Sequence, residues 1–141
     1  MLILPSSHVT WGELACKDGT PYPREFKDDG RLARLMALFE AIRVSCEDRP
    51  LVILSAYRTP EHNAAIGGAR HSQHVQGRAL DIRPPAGWTA ARFYRHLRGL
   101  ASSWPDLKGI GHYPTFVHVD VRPGVRLVVW SGAGVKDDTA T

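Results

Sequence analysis

Cysteine is nearly absent: Cys16 and Cys46 are the two such residues in a chain of 141. So low a count excludes a disulfide-dense framework and leaves either one bridge or two free core thiols. Long apolar runs are missing as well. No segment nears the roughly 18 apolar residues of a membrane-spanning helix, so no transmembrane segment is expected. Basic runs of five or more are also lacking, although Lys and Arg outnumber Asp and Glu by 18 to 14 for a formal net charge of +4. Scattered positive charge gives weak attraction to anionic partners, without the concentrated arm of a specific nucleic-acid binder. Met1-Leu2-Ile3-Leu4-Pro5 has a three-residue apolar run with no basic residues before it, which does not match a secretory leader.

Repeats, low-complexity blocks and linker-like stretches are absent too, and proline and glycine are spread out as turn punctuation. Apolar residues at 43% and charged residues at 23% match soluble globular chains and argue against disorder. A single domain over residues 1–141 is expected, with its core at about 8–130 and a short flexible C-terminal tail. A monomer is expected.

Residues 6–30 mix Trp11, Leu14, Tyr22 and Phe26 with prolines, glycines and charges, which predicts an irregular lid over one end of the core. From Arg31 to about Glu47, Leu32, Leu35, Met36, Phe39, Ile42 and Cys46 follow the spacing of one buried helix face, with Asp28 or Asp29 placed to cap it. Leu51-Val52-Ile53-Leu54 predicts a buried strand. Thr59 and Pro60 then open a short helix that Gly67-Gly68 ends.

A strand is predicted over Arg78–Ile82 and a long helix over Thr89–Leu100. Further strands are predicted at Ile110–Tyr113, Thr115–Val121 and Arg126–Trp130, with short reversals at Pro114 and Pro123-Gly124. Helices early and strands late predict an α+β domain whose largely antiparallel sheet is covered by helices on one face.

Side chains alternate along a strand, so Phe116, His118 and Asp120 share one side while Val117, Val119 and Val121 pack on the core. By the same alternation Leu80 and Ile82 point inward, and Ala79 and Asp81 turn to the opposite face. Two neighbouring strands would then present Asp81 and His118 to one cleft. His74 precedes Asp81 by seven residues, and Gly77 lets the loop between them double back. A catalytic zinc ion takes three protein ligands and keeps a fourth position open, a quota that His74, Asp81 and His118 would fill.

The runs Ser55-Ala56-Tyr57-Arg58-Thr59-Pro60-Glu61-His62-Asn63, Ser72-x-His74-x-x-Gly77-x-Ala79-x-Asp81, Gly111-His112-Tyr113-Pro114 and Phe116-Val117-His118-Val119-Asp120 together resemble the M15 zinc peptidases. The likeness is greatest to the M15A-type D-alanyl-D-alanine carboxypeptidase and murein endopeptidase group, whose fold is shared with the Hedgehog signalling domain, and it covers roughly residues 8–130. It implies one Zn²⁺ held by His74, Asp81 and His118. It also implies Arg58 at the cleft, where the guanidinium forks onto a substrate carboxylate or carbonyl oxygen; the alternative is a salt bridge that fixes the Tyr57–Asn63 turn. Asn63, Ser72 and Gln73 would brace the site, and Tyr113 would line the cleft.

The implied activity is zinc-assisted hydrolysis of amide bonds next to D-amino acids in peptidoglycan stem peptides or cross-links. A phage endolysin or virion-associated lysin would suit such a chain, made in the cytoplasm and meeting the wall after release or on the particle. The chain departs from the better-known pattern by having no acidic residue between Asp106 and Asp120. The proton acceptor is then either Asp120, which alternatively orients a ligand imidazole, or His112. The missing carboxylate also keeps open a catalytically inactive, zinc-containing binding module of the same fold. His71 reads as surface, His8, His62 and His96 stand outside any ligand pattern, and Trp88, Trp104 and Trp130 read as packing at sheet edges and helix ends.

Overall fold

The computed structural model describes residues 3–135. Its longest helix grows from the apolar spacing after Arg31. The short helices α1 (Trp11–Leu14) and α2 (Arg24–Asp28) precede α3 (Arg31–Ser45), which buries Leu32, Leu35, Met36, Phe39 and Ile42. Gly30 occupies the N-cap of α3 at φ 92°, and Asp29 accepts the Arg31 N–H at 3.1 Å. The short helix α4 (Pro60–Ala65) is capped by Thr59, and α5 (Ala90–Ala101) by Thr89. In both caps the threonine oxygen satisfies a first-turn N–H that the helix itself cannot.

Five strands, β1 (Val52–Ser55), β2 (Ala79–Arg83), β3 (Gly109–His112), β4 (Val117–Asp120) and β5 (Val128–Ser131), form one sheet in the order β1-β2-β4-β3-β5. β2 pairs antiparallel with β1 and β4, and β4 antiparallel with β3. The fold is α+β, as expected, with one departure. The turn at Pro123-Gly124 does not fold β5 back onto β4; instead β5 pairs with β3 in parallel. Both edges of β4 are already taken by β2 and β3, so the last strand cannot pair with it and docks on the free side of β3.

One face of the sheet is apolar. Leu80, Ile82, Ile110, Val117 and Val119 join Leu35 and Phe39 of α3 and Phe93 and Leu97 of α5 in a single buried cluster. Burying a side chain of this size contributes about 1.5–3 kcal/mol. The opposite face carries Asp81, His118 and Asp120, so the core fixes the strands that position them.

Two expectations are corrected. β1 is an edge strand with Val52 exposed, because a short apolar run does not by itself distinguish a buried strand from an edge one. The segment 6–30 is less irregular than expected: it holds α1 and α2, Val9, Leu14 and Tyr22 belong to the core, and Thr10 and Glu13 close a capping box on α1. Cys16 and Cys46 are both free and buried. No helix among the described residues is long and apolar enough to cross a membrane. The expected C-terminal tail lies, from residue 136 on, outside the described residues.

Candidate metal centre

β2 and β4 pair so that Asp81 stands opposite His118 and Ala79 opposite Asp120. The small Ala79 leaves the face open beside the carboxylate. His74 comes from the loop before β2, where Gly77 takes φ 69°, a left-handed conformation that favours glycine. The Ser72 hydroxyl accepts the His74 N–H at 3.1 Å and holds this loop.

His74 Nε2 and His118 Nδ1 each lie 3.1 Å from the same atom, Asp81 Oδ1. The outer nitrogens set the tautomers. His74 Nδ1 is 2.6 Å from the Ala56 carbonyl and His118 Nε2 is 2.7 Å from Asp120 Oδ2, and both of those oxygens can only accept. With each outer nitrogen protonated, a neutral imidazole turns a lone pair towards Asp81. Two lone-pair nitrogens and a carboxylate oxygen then face one another, an arrangement suited to holding a cation between them.

The three ligand atoms all fall within 4.8 Å, and all three residues are buried. Zinc ligands at about 2.0–2.1 Å in a tetrahedron stand roughly 3.3 Å apart, close to the separations from Asp81. The donor set therefore fits a divalent transition ion. Outer-nitrogen hydrogen bonds of this kind orient ligand imidazoles and raise their basicity.

Charge at the site is unevenly distributed. Burial lowers the pKa of His74, and the Asp81 carboxylate offsets this only in part. Burial acts the same way on His118, but hydrogen bonds to Asp120 and Asp81 outweigh it and raise the pKa. The difference follows from the partners, two carboxylates for His118 against one carboxylate and a neutral carbonyl for His74. Burial pushes Asp81 upward, yet hydrogen bonds from His118 and His74 hold it well below the ordinary carboxylate range.

Asp120 is fully buried, and both its oxygens are engaged. Arg122 donates from Nη2 to Oδ2 at 2.7 Å and from Nε to Oδ1 at 2.9 Å, while its backbone N–H reaches Oδ1 at 3.1 Å. Burial acts to raise the pKa of Asp120, but the bonds from Arg122 and His118 dominate and hold it at about 2. The structure thus places this carboxylate behind the His118 ring. Arg122 also lies over the Trp130 ring at 5.2 Å, and Trp130 leans on His118 with ring centroids 5.0 Å apart.

Arg58 lines the cavity beside the metal ligands and donates to Asp81 Oδ2 at 3.2 Å, to Asn63 Oδ1 at 3.2 Å and to the Ser55 hydroxyl at 3.3 Å. Three of its five N–H donors are taken up in this way. The cavity, of about 490 Å³, is also lined by His71, Ser72, Gln73, Tyr113 and Arg122. The Tyr113 hydroxyl accepts the Trp130 indole N–H at 3.0 Å.

His112 is not brought to the site. It sits opposite Val117, on the helix-covered face, and stacks on Tyr94 at 4.9 Å. Strand alternation already separates it from Gly111, which faces His118. Phe116 precedes β4 and stacks on Tyr113. Trp130 packs at a sheet edge, as expected, but also against His118, and Arg122, given no role from the sequence, clamps Asp120. A signal was present in Gly109 and Gly111, two glycines alternating on β3: a Cβ at Gly109 would come 2.1 Å from Asp120 Oδ2, and one at Gly111 would come 2.6 Å from the Trp130 ring.

The sheet thus presents a buried, metal-capable His-Asp-His cluster at the wall of a cavity. The chain belongs to the peptidase M15 family, whose family model, Peptidase M15, matches residues 7–120. Membership supports a peptidase, and peptidases of this family are typically metal-dependent. No curated protein matches the chain.

Proposed function

We propose that the protein is a zinc-dependent peptidoglycan peptidase of the M15A type that hydrolyses amide bonds next to D-amino acids in stem peptides or cross-links. The observation that carries this is the convergence of His74 Nε2 and His118 Nδ1 on Asp81 Oδ1 with both outer nitrogens tied down. Zinc bound there would activate a water for attack and polarise the scissile carbonyl. Membership of the M15 family and the cationic cavity support the substrate class, as does a net charge suited to an anionic wall.

The chain's own residues divide the remaining work. Arg58 holds Asp81 Oδ2, which keeps Oδ1 aimed at the two imidazoles, and its two remaining N–H donors are available to a substrate carboxylate or carbonyl oxygen. Asp120 orients His118 from behind, clamped by Arg122. Outside the ligand triad, His71 and Tyr113 line the cavity, and an imidazole is the more usual proton acceptor. A phage endolysin or virion-associated lysin is the setting in which such a compact wall peptidase would work.

One observation favours the alternative, a zinc-containing binding module without turnover. Among the described residues lining the cavity, Asp81 is the one acidic side chain. Mass spectrometry of purified sacculi incubated with the zinc-loaded protein, with and without chelator, separates the two. New muropeptides that disappear with chelator are expected. Binding to sacculi without any new muropeptide would establish the module instead.

A further inference from the structure

At the N-terminal end of α4 lies a second convergence of ligand-type atoms. Cys16 Sγ, a carboxylate oxygen of Asp18 and a ring nitrogen of His62 all lie within 4.8 Å of one another. The three residues come from two separate segments. Cys16 and Asp18 belong to a turn closed by the hydrogen bonds Cys16 N–H to Thr20 O and Gly19 N–H to Cys16 O, and His62 sits in the first turn of α4.

Thr59 touches all three residues. Its backbone N–H donates to Cys16 Sγ at 3.5 Å, its hydroxyl donates to Asp18 Oδ2 at 2.8 Å, and the same oxygen accepts the His62 N–H at 3.1 Å. Asp18 Oδ1 is held in addition by the Thr20 N–H at 2.9 Å. Each carboxylate oxygen has a second lone pair left over. Cys16 is buried, whereas Asp18 is exposed and His62 is partly exposed, so the cluster opens to solvent on the carboxylate side. Hydrogen bonds from Thr20 and Thr59 hold the Asp18 carboxyl well below the ordinary range, in the charged form a ligand needs.

We propose that Cys16, Asp18 and His62 form a second transition-metal site, separate from the triad, which staples the 16–20 turn to α4. The chemistry selects the class of ion. Thiolate and imidazole donors with one carboxylate suit Zn²⁺ or Co²⁺ and not Mg²⁺ or Ca²⁺, which take oxygen ligands. Three protein ligands leave a fourth position for water. The staple bears on the cavity through α4, because Asn63 holds Arg58 and Gly67 and Gly68 line the cavity wall.

The sites differ in one testable respect: the triad contains no sulfur. The metal-stripped full chain is titrated with Co²⁺ while near-ultraviolet absorption and bound metal are followed together. Two equivalents are expected, one of them bringing a thiolate-to-cobalt charge-transfer band. Cys16→Ser should lose that band and one equivalent. His62→Ala, a change on a partly exposed helix position, should do the same and stands in if the serine variant fails to fold. His74→Ala should keep the band. A wild-type titration that ends at one equivalent without the band overturns the proposal, as does a band that survives in Cys16→Ser.

Discussion

Asp120 holds His118 from behind: Oδ2 accepts the Nε2 proton at 2.7 Å, and the carboxylate is wholly buried. This arrangement turns Nδ1, and not Nε2, towards Asp81. In Asp120→Asn the amide oxygen can still accept from His118, but the charge and the fork with Arg122 are lost. Zinc affinity should fall about 10–100-fold. Peptidase activity should fall with occupancy and return when zinc is raised to saturation. Isothermal titration alongside the rate assay checks both, and activity lost at full occupancy would make Asp120 the proton acceptor instead.

Arg122 is the partner that allows Asp120 to be buried as an anion. Removing it in Arg122→Met leaves one buried carboxylate oxygen without a side-chain donor. A cost of about 1–3 kcal/mol in unfolding free energy is expected, read from urea denaturation of the metal-stripped protein. Arg122 is about a quarter exposed, so solvent screening keeps the effect below that of a fully buried pair. The indole of Trp130 also loses its cationic neighbour, and its fluorescence should shift.

Gly109→Ala is a small change in sequence and a large one in space. Its methyl group would sit 2.1 Å from an Asp120 oxygen that Arg122 and His118 hold in place. Overpacking of this kind costs about 1–3 kcal/mol. Because the displaced group is the support of a ligand imidazole, zinc affinity should fall together with thermal stability. An alanine that changes stability and leaves zinc affinity untouched would separate Asp120 from the metal site.

Much of this arrangement was legible from residue spacing, and the exceptions have physical causes. Alternation along β2 and β4 put Asp81 and His118 on one face, and α3 follows from the spacing of Leu32, Leu35, Phe39 and Ile42. Strand order was not legible, because it depends on which edges remain unpaired, and so the parallel docking of β5 on β3 was missed. The contact of Trp130 with His118 was hidden with it, since that docking brings the indole against the ring. Arg122 lies two residues past the end of β4, where strand alternation no longer says which way a side chain points. His62 had no neighbouring ligand in sequence, and its partners Cys16 and Asp18 meet it only through the fold.

The N-terminal segment is tied to α3 through Glu40, which accepts from the Ser6 hydroxyl at 2.6 Å and the His8 backbone at 3.2 Å and lies 2.6 Å from His8 Nδ1. Burial pushes the Glu40 pKa up, but these bonds prevail and lower it from 4.5. A carboxyl whose folded pKa is depressed adds stability that is complete above its unfolded value and is lost as pH falls through the folded one. Glu40→Gln should therefore cost about 1 kcal/mol at neutral pH. The gap to wild type should close as the pH drops below about 4.5. Chemical denaturation over a pH series checks the sign, and a gap that widens in acid would contradict it.

A catalytic ion held by His74, Asp81 and His118 is tested most directly by muropeptide release from sacculi as a function of zinc added back to stripped protein. Wild type should release new muropeptides in proportion to zinc bound at the triad, and His118→Ala should release none at any zinc concentration. The same products from fully stripped protein, or from His118→Ala, would contradict the account.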